Sequence, residues 1–245
     1  MRFLYLTAFL LCCFTCAAQD FMKNELLSPR VQAARAEKDS LLKAAFAEKG
    51  LTYPTRNLFI RIFKAESVLE VWARDKGEYV LVKSYQICIM SGVLGPKRAR
   101  GDWQVPEGFY EIKDFLRNSS YYLSLKLNYP NASDRLLKKN KDAGGDICIH
   151  GNCASAGCIA ITDEPIKEVY WLAVQAKHNG QTSIPVHIFP ARLSEPKLAI
   201  LRQTYSNHPA LIAFWENLKP GYDFFEKNKK LPVVQVTEKG LYQFK

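Results

Sequence analysis

The pattern of apolar and polar residues predicts a helix near the start of the chain, a β-rich middle and a helical end. Residues 29–49 follow Ser28-Pro29, a pair suited to a helix start, and are rich in Ala, Leu, Lys and Glu up to Gly50, where a C-cap belongs. We therefore predict a helix there. Its apolar stripe is modest and consists of Val31, Ala34, Leu41, Leu42 and Ala45.

From Leu58 the chain changes to short apolar and β-branched segments that turn residues separate. Period-two alternation, as in Leu69-Glu70-Val71-Trp72, predicts strands with one solvated face, and antiparallel pairing is the expectation. An amphipathic helix is predicted after Thr162-Asp163. The predicted strands are 58–63, 68–73, 79–89, 121–127, 147–150, 159–161 and 184–189, followed by helical segments at 195–203 and 208–218 and a weak strand at 233–236.

The long segment between the predicted strands, Ser91 to Gly108, is rich in glycine and proline, and loops of this length in compact domains usually serve function. Three basic residues of this loop either bind substrate carboxylates or are simply solvated: Lys97, Arg98 and Arg100. Glu107, between Pro106 and Gly108, is interpreted as a turn residue. His187 is interpreted as a packed histidine.

The first residues have the three parts of a secretory signal peptide: Met1-Arg2, an apolar run, and Cys16-Ala17-Ala18. The run is shorter than the ~20 residues that span a bilayer, so we expect cleavage near Gln19 and no transmembrane segment in the mature chain. Lipidation at Cys16 is the alternative, which the absence of a small residue just before Cys16 disfavours. The protein is expected to be exported, in the periplasm or elsewhere in the cell envelope.

The formal net charge of +10 falls by one when Arg2 leaves with the signal. A basic exported protein suits anionic surroundings such as the cell wall or lipid head groups, although a solvated basic surface is the preferred interpretation of the charge. No Lys/Arg cluster is interleaved with aromatic residues in a known nucleic-acid module, so nucleic acid is not an expected partner.

Four cysteines remain after the predicted cleavage: Cys88, Cys148, Cys153 and Cys158. They are too few for a disulfide framework in a chain of this size, although a Cys88–Cys148 bridge is conceivable. Three of them lie close to His150, within residues 147–159.

A nucleophilic cysteine needs a base or a positive charge beside it, and His150 stands eight residues before Cys158. The amides of Gly157 and Cys158 could bind an oxyanion, and the carbonyl of Gly151 could hold the imidazole in one tautomer. If Cys158 is the nucleophile, we expect it to carry no stable disulfide. From spacing alone, a zinc site or plain burial of these residues remains open beside catalysis.

The pairing of Ile149-His150-Gly151 with Ser155-x-Gly157-Cys158 resembles the active-site signature of the L,D-transpeptidases, which have a YkuD-type catalytic domain. Several other stretches resemble the YafK-type murein transpeptidase branch of that family. They are 59–64, 91–97, 101–110, 128–131 and 186–190. The similarity covers about residues 57–190.

The resemblance implies a mainly β catalytic domain, a mixed β-sandwich or barrel-like fold, with an N-terminal helix and a helical C-terminal extension. The implied organisation is a signal peptide at 1–18, an N-terminal helical arm at 19–56, the catalytic domain at 57–190 and the extension at 191–245. It also implies a monomer that acts on peptidoglycan, or on a protein linked to it, with no cofactor and no metal.

The resemblance further assigns roles to residues. Cys158 matches the nucleophile, which attacks the carbonyl of the L-centre of diaminopimelate. His150 matches the base, Gly151 the carbonyl that orients it, and Gly157 an oxyanion amide. The residues expected to bind substrate are Ser155, which also shapes the loop, Asn152, Lys97 and Arg61.

Two departures from the family pattern bear on the reaction. Many members have a histidine where this chain has Ala156 and an arginine where it has Ala160. The missing arginine removes an anion contact, so the acyl acceptor is left open. Amine transfer, hydrolysis by an amidase of the same branch, and a binding module without turnover all remain as alternatives.

Overall fold

The structure is a computed structural model that describes residues 19–139 and 142–245. The predicted signal peptide and the candidate lipid site Cys16 lie outside the described residues. The helices are α1 (Pro29–Glu48), α2 (Ala132–Leu137), α3 (Asp163–His178), α4 (Glu195–Thr204) and α5 (Pro209–Asn228), and residues 19–25 are also helical. The strands are β1 (Leu58–Phe63), β2 (Val68–Ala73), β3 (Val80–Gln86), β4 (Ile89–Met90), β5 (Gly108–Ser119), β6 (Tyr122–Leu127), β7 (Cys148–His150), β8 (Ile159–Ala160), β9 (Pro185–Phe189), β10 (Val234–Val236) and β11 (Tyr242–Phe244).

Within the described part of the chain, nine strands form one sheet in the order β3-β2-β1-β9-β5-β6-β7-β8-β4, and β10 and β11 form a separate hairpin. Most neighbours are antiparallel, as expected. The expectation is wrong for two pairs, because β1 with β9 and β7 with β8 are parallel. Parallel neighbours need a crossover, and residues 151–158 make the crossover between β7 and β8.

Strand β5 joins the two halves of the sheet. Its first residues, Gly108 to Glu111, pair with β9, and its later residues, Ile112 to Ser119, pair with β6. The register shifts after Ile112 and again after Leu116, which bends the strand. The sheet therefore curls into a half-barrel, and the predicted mainly β, barrel-like fold with terminal helices is confirmed.

Strand β1 shows how the core is divided between the two faces of the sheet. All six of its residues are buried, so both faces are covered. Leu58, Ile60 and Ile62 join the core that includes α1 and α3. Phe63 packs on the opposite face with the C-terminal helices α4 and α5.

Helix α1 confirms the predicted position and buries Val31, Ala34, Leu42 and Phe46. Leu41, predicted as part of its apolar stripe, is instead 57% exposed. Ser28 precedes the helix, but its hydroxyl hydrogen-bonds Arg117 and Asn118 of β5 rather than the helix amides. The start of this helix is thereby tied to the sheet.

None of the helices within residues 19–139 and 142–245 is both long enough and apolar enough to cross a membrane.

Candidate active site

The parallel pairing of β7 and β8 brings His150 and Cys158 together. Ile149 pairs with Ile159 and His150 with Ala160, so the crossover loop starts beside the histidine and returns at the cysteine. His150 is 1% exposed, whereas Cys158 is half-buried. Both side chains line one open cavity of about 580 Å³.

The carbonyl of Gly151 fixes the orientation of the imidazole. His150 Nδ1 lies 2.6 Å from this oxygen, and a ring N–H that donates there leaves Nε2 as the nitrogen available to an acid or a nucleophile. The ring also lies against Tyr121, with 4.6 Å between centroids. A Cβ at Gly151 would lie 2.6 Å from Asp163 Oδ1 and 2.9 Å from the carbonyl oxygen of Tyr121. Only glycine fits here without a shift of the backbone.

The surroundings of Cys158 favour its thiolate. The thiol of Cys148 lowers the pKa of Cys158 most, burial opposes that effect, and His150 lowers it further, to about 5. The backbone N–H of Cys148 also donates to Cys158 Sγ at 3.4 Å. A lowered pKa increases the fraction of Cys158 present as the thiolate, which is the form of a cysteine that acts as a nucleophile.

A disulfide clamps the crossover loop. Cys88, which lies between β3 and β4, is bonded to Cys153, with 5.7 Å between the Cα atoms. The partner of Cys88 is thus Cys153 and not Cys148, which faces Cys158 instead. Cys148 and Cys158 are free thiols.

The disulfide also bears on the zinc alternative. Because Cys153 is bonded to Cys88, the four-ligand set of Cys148, His150, Cys153 and Cys158 is not available. Among the residues that the structure describes, no group of three or more His, Cys, Asp or Glu side chains could hold a metal ion.

Two serines shape the loop before Cys158. Ser155 Oγ donates to the carbonyl of Cys158 at 2.7 Å and accepts from the N–H of Ser91 at 3.0 Å. The N–H of Gly157 donates to Ser91 Oγ at 2.7 Å. The Gly157 amide would have to give up this bond before it could bind an oxyanion. Gly157 has φ +113° and lies close to the carbonyl of Gln104, which excludes a side chain.

The remaining predicted substrate contacts lie elsewhere. Arg61 is 2% exposed and pairs with Glu70 and Glu226 on the face of the sheet opposite α1 and α3. Lys97 is 3% exposed and pairs with Asp102 at 2.6 Å. The structure brings neither side chain to the cavity, because each is held by a carboxylate of the fold.

Asn152 and the arginines of the long loop have structural partners as well. Asn152 has φ +57° and accepts a hydrogen bond from the amide of Cys153, so it shapes the turn after Gly151. Arg98 pairs with the buried Asp134 at 3.0 Å, so this part of the loop is not simply solvated. Arg100 is exposed and pairs with Asp142.

Glu107 was interpreted as a turn residue, but the structure buries it completely. Its carboxylate accepts from Lys64 at 2.9 Å, from the Gly95 amide at 2.7 Å and from the Trp215 indole at 2.8 Å. Glu107 therefore ties the long loop to β1 and α5.

The last residues of β5 and the turn to β6 form the outer wall of the cavity, which the sequence did not predict. This wall consists of residues 115–121 and includes Arg117 and the exposed ring of Tyr121. The sequence signal was Asn118-Ser119-Ser120, a polar turn just before a predicted strand, but nothing in it indicates a neighbouring His150.

The leading segment of the predicted N-terminal arm, residues 19–30, contacts this wall from outside. Phe21 packs edge-to-face on Phe115 at 5.2 Å. Glu25 pairs with Arg117 at 3.5 Å. Arg30 donates to the carbonyls of Ser119 and Tyr122.

Comparison with known proteins identifies the family. The model of the YkuD L,D-transpeptidase catalytic domain matches residues 57–188. The chain belongs to the L,D-transpeptidase family. The resemblance seen in the motifs around His150 and Cys158 is thereby confirmed.

A relative named "Putative L,D-transpeptidase YafK" from Escherichia coli K12 is 40% identical over 181 residues, 73% of this chain and 70% of that protein. The protein of the same name from E. coli O157:H7 matches equally. The solved structure of the helical cell shape determining protein Pgp2 (K307A mutant) from Campylobacter jejuni shares a TM-score of 0.46 at 19% identity, over 76% of this chain and 74% of that one. Bd1075 of Bdellovibrio bacteriovorus shares 0.41 at 22% identity, over 71% of this chain and 62% of that one. Structural similarity at this level does not bear on the function.

Proposed function

We propose that the protein is an exported cysteine acyltransferase that acts on the peptide stems of peptidoglycan through a thioester at Cys158. One observation carries the proposal: the Cys158 sulfur and an imidazole fixed by the Gly151 carbonyl line the same open cavity. Family membership supports the substrate class. The basic net charge suits an anionic polymer.

In the proposed reaction, the Cys158 thiolate attacks the carbonyl carbon of the L-centre of diaminopimelate in a tetrapeptide stem. The tetrahedral intermediate collapses, and the amide C–N bond breaks. His150 gives the proton taken from the thiol to the departing amine of the D-residue. A thioester then joins the stem to Cys158.

The second half of the reaction releases the stem. An amine of a neighbouring stem attacks the thioester carbonyl and gives its proton to His150, and Cys158 leaves as the thiolate. Water in place of the amine gives a hydrolysed stem with the same proton balance. A cavity that is open to solvent suits either acceptor.

We further propose that Arg117 binds a carboxylate of the stem, a role for which the sequence analysis named Lys97 and Arg61. Arg117 lies on the cavity wall, and its side chain is 34% exposed. Its contact with Glu25 is long, at 3.5 Å, so the guanidinium has donors to spare for an anion. This cation would replace the anion contact that the family arginine provides where this chain has Ala160.

The function is tested with the purified mature chain and tetrapeptide muropeptides, with products followed by mass spectrometry. Wild type should remove the terminal D-residue, and Cys158→Ala and His150→Ala should not. His208→Ala, a substitution at an exposed histidine before α5, is the matched control and should keep wild-type turnover. A carbapenem should add covalently to Cys158 of wild type. If there is neither an adduct nor a product with wild type, the proposal is wrong.

The same reactions identify the acceptor. Run in ¹⁸O-labelled water, hydrolysis places the label in the shortened stem, whereas transfer gives an unlabelled cross-linked dimer. Binding to sacculi that survives Cys158→Ala, with no bond ever cut by wild type, would instead indicate a binding module.

The stem contact is tested at the cavity wall. Arg117→Gln should raise KM for the muropeptide by roughly tenfold or more, since hydrogen bonds to charged groups are worth ~1.5–3 kcal/mol, and Arg117→Lys should recover part of the loss. Equal KM values in wild type and Arg117→Gln would exclude the contact.

A further inference from the structure

The free thiol of Cys148 is unexplained by the proposed reaction, and its position is unusual for a buried cysteine. Cys148 and His150 are two residues apart on β7, so their side chains leave the same face of the sheet. Cys148 is 8% exposed and lines the cavity with Cys158.

The two sulfurs share one environment. The S–H of Cys148 donates to the carbonyl oxygen of Asp146 at 3.7 Å and the S–H of Cys158 donates to the same oxygen at 3.5 Å, so the two thiols are neighbours around one acceptor. The Cys148 N–H points at the same Cys158 sulfur, 3.4 Å away. Once Cys158 ionises, the carbonyl of Asp146 offers it no proton, and the donors left around it are the Cys148 S–H, the Cys148 N–H and His150.

We propose that Cys148 is a positioning residue that donates its S–H to the Cys158 thiolate and thereby sets the pH range in which Cys158 is nucleophilic. The inference rests on the proposed role of Cys158 as the nucleophile. It adds a third donor to the histidine and the backbone amide.

A difference between the two thiols decides which of them keeps its proton. The hydrogen bond with Cys158 and then burial raise the pKa of the Cys148 thiol far above its ordinary value, whereas the pKa of Cys158 is lowered. Cys148 therefore keeps its proton when Cys158 has lost its own. Cys148 is more deeply buried than Cys158, which is consistent with the neutral member of the pair.

Other charged groups near the pair come from the neighbouring elements. The carboxylate of Asp146 is neutralised by Lys126 of β6 at 2.6 Å, which limits its repulsion of the thiolate. The opposite wall contributes Arg117 and Tyr121, and β7 contributes His150. The variants below leave all of these groups in place, so a shift between them reports on the Cys148 donor.

The test measures the rate of Cys158 alkylation by iodoacetamide between about pH 4 and pH 9, without reductant so that the Cys88–Cys153 bond stays closed. Tandem mass spectrometry assigns the label to Cys158. Wild type is compared with Cys148→Ala, which removes the donor, and with Cys148→Ser, which keeps one. Cys158→Ala is the blank.

Cys148→Ala should move the midpoint of the alkylation profile upward by about one to two pH units, as expected for the loss of one hydrogen bond to a charged group. Cys148→Ser should stay within about half a unit of wild type or fall below it, because a hydroxyl still donates. An unchanged midpoint in Cys148→Ala, or equal shifts in both variants, would overturn the inference. If Cys148→Ala does not fold, Cys148→Val takes its place.

Alkylation needs no peptidoglycan, so this result is separate from the test of function. A shifted midpoint without any muropeptide turnover would leave the inference standing and remove the proposed function. Turnover by wild type, together with identical alkylation midpoints in all variants, would support the proposed function and overturn the inference about Cys148.

Discussion

The Cys88–Cys153 disulfide closes a long stretch of chain, and its contribution to stability can be worked out from that length. The two residues are 65 positions apart. A cross-link that closes a loop of this size lowers the entropy of the unfolded chain by an amount worth about 4 kcal/mol at 25 °C. We therefore expect Cys88→Ser/Cys153→Ser to lose about 4 kcal/mol of unfolding free energy, and its melting temperature to fall by about 8–16 °C.

The measurement is urea unfolding and a thermal melt followed by circular dichroism. Wild type in reductant is the matched control, because it should unfold like the double variant, while the variant itself should not respond to reductant. A loss below about 1 kcal/mol would refute the loop-entropy reasoning. It would mean that the unfolded chain already holds residues 88 and 153 close together.

Three further predictions concern buried groups. Glu107→Gln should lose about 3–5 kcal/mol in urea unfolding, because it leaves the buried Lys64 without its carboxylate, and the double variant Lys64→Met/Glu107→Leu should lose less. Burial lowers the pKa of His187 to about 3. The free energy of unfolding that this neutral histidine contributes is fully present above the unfolded pKa of about 6.5 and is lost as pH falls below it, by roughly 1.4 kcal/mol per pH unit. His187→Phe should make the unfolding free energy depend less on pH in this acidic range. Gly151→Ala should lose about 1–3 kcal/mol and slow muropeptide turnover by ~100-fold, since the new Cβ displaces the carbonyl that orients the imidazole.

Each of these predictions has an outcome that contradicts it. Equal losses in the single and double variants at Glu107 would show that the ion pair is not the source of the effect. If the unfolding free energy of His187→Phe falls with decreasing pH as steeply as that of wild type, another group takes up the proton on unfolding. Wild-type turnover in Gly151→Ala would show that the loop adjusts without moving its carbonyl.

The local sequence pattern was sufficient to predict secondary structure where the segment itself is mostly apolar. β1 and β2 begin and end where the apolar and β-branched segments 58–63 and 68–73 predict, and α1 ends one residue before its predicted end. The expected solvated face of β2 is wrong, because Glu70 is 2% exposed and pairs with the buried Arg61. In these segments the local apolar pattern and the packing of the fold favour the same element of secondary structure.

Segments that depend on distant partners were missed or cut short. Much of β5 is polar, including Lys113, Asp114 and Arg117, and only its pairing with β6 and β9 makes it a strand. α5 was expected to end at Leu218 but continues through Pro220 to Asn228. Its added turns bury Gly221, Tyr222 and Phe225, and Phe109 and Phe244 pack directly on Gly221.

The candidate site likewise has a part that the local sequence predicts and a part that depends on distant segments. Its chemical residues lie within one short motif, so the sequence analysis could name Cys158, His150 and Gly151 together. The cavity wall, the burial of Arg61 and the choice of Cys153 as the partner of Cys88 depend on contacts between segments far apart in sequence. No local spacing contains that information.

The bracing of the cavity wall by residues 19–30 has a consequence for comparison among relatives. The family match starts at residue 57 and so leaves out the segment that contacts Phe115, Arg117 and Ser119 from outside. Two chains could share every residue of the catalytic motif and still present different clefts to the stem. Under the proposed function, we therefore expect an exchange of residues 19–30 between relatives to change which stems bind, while His150 and Cys158 stay in place.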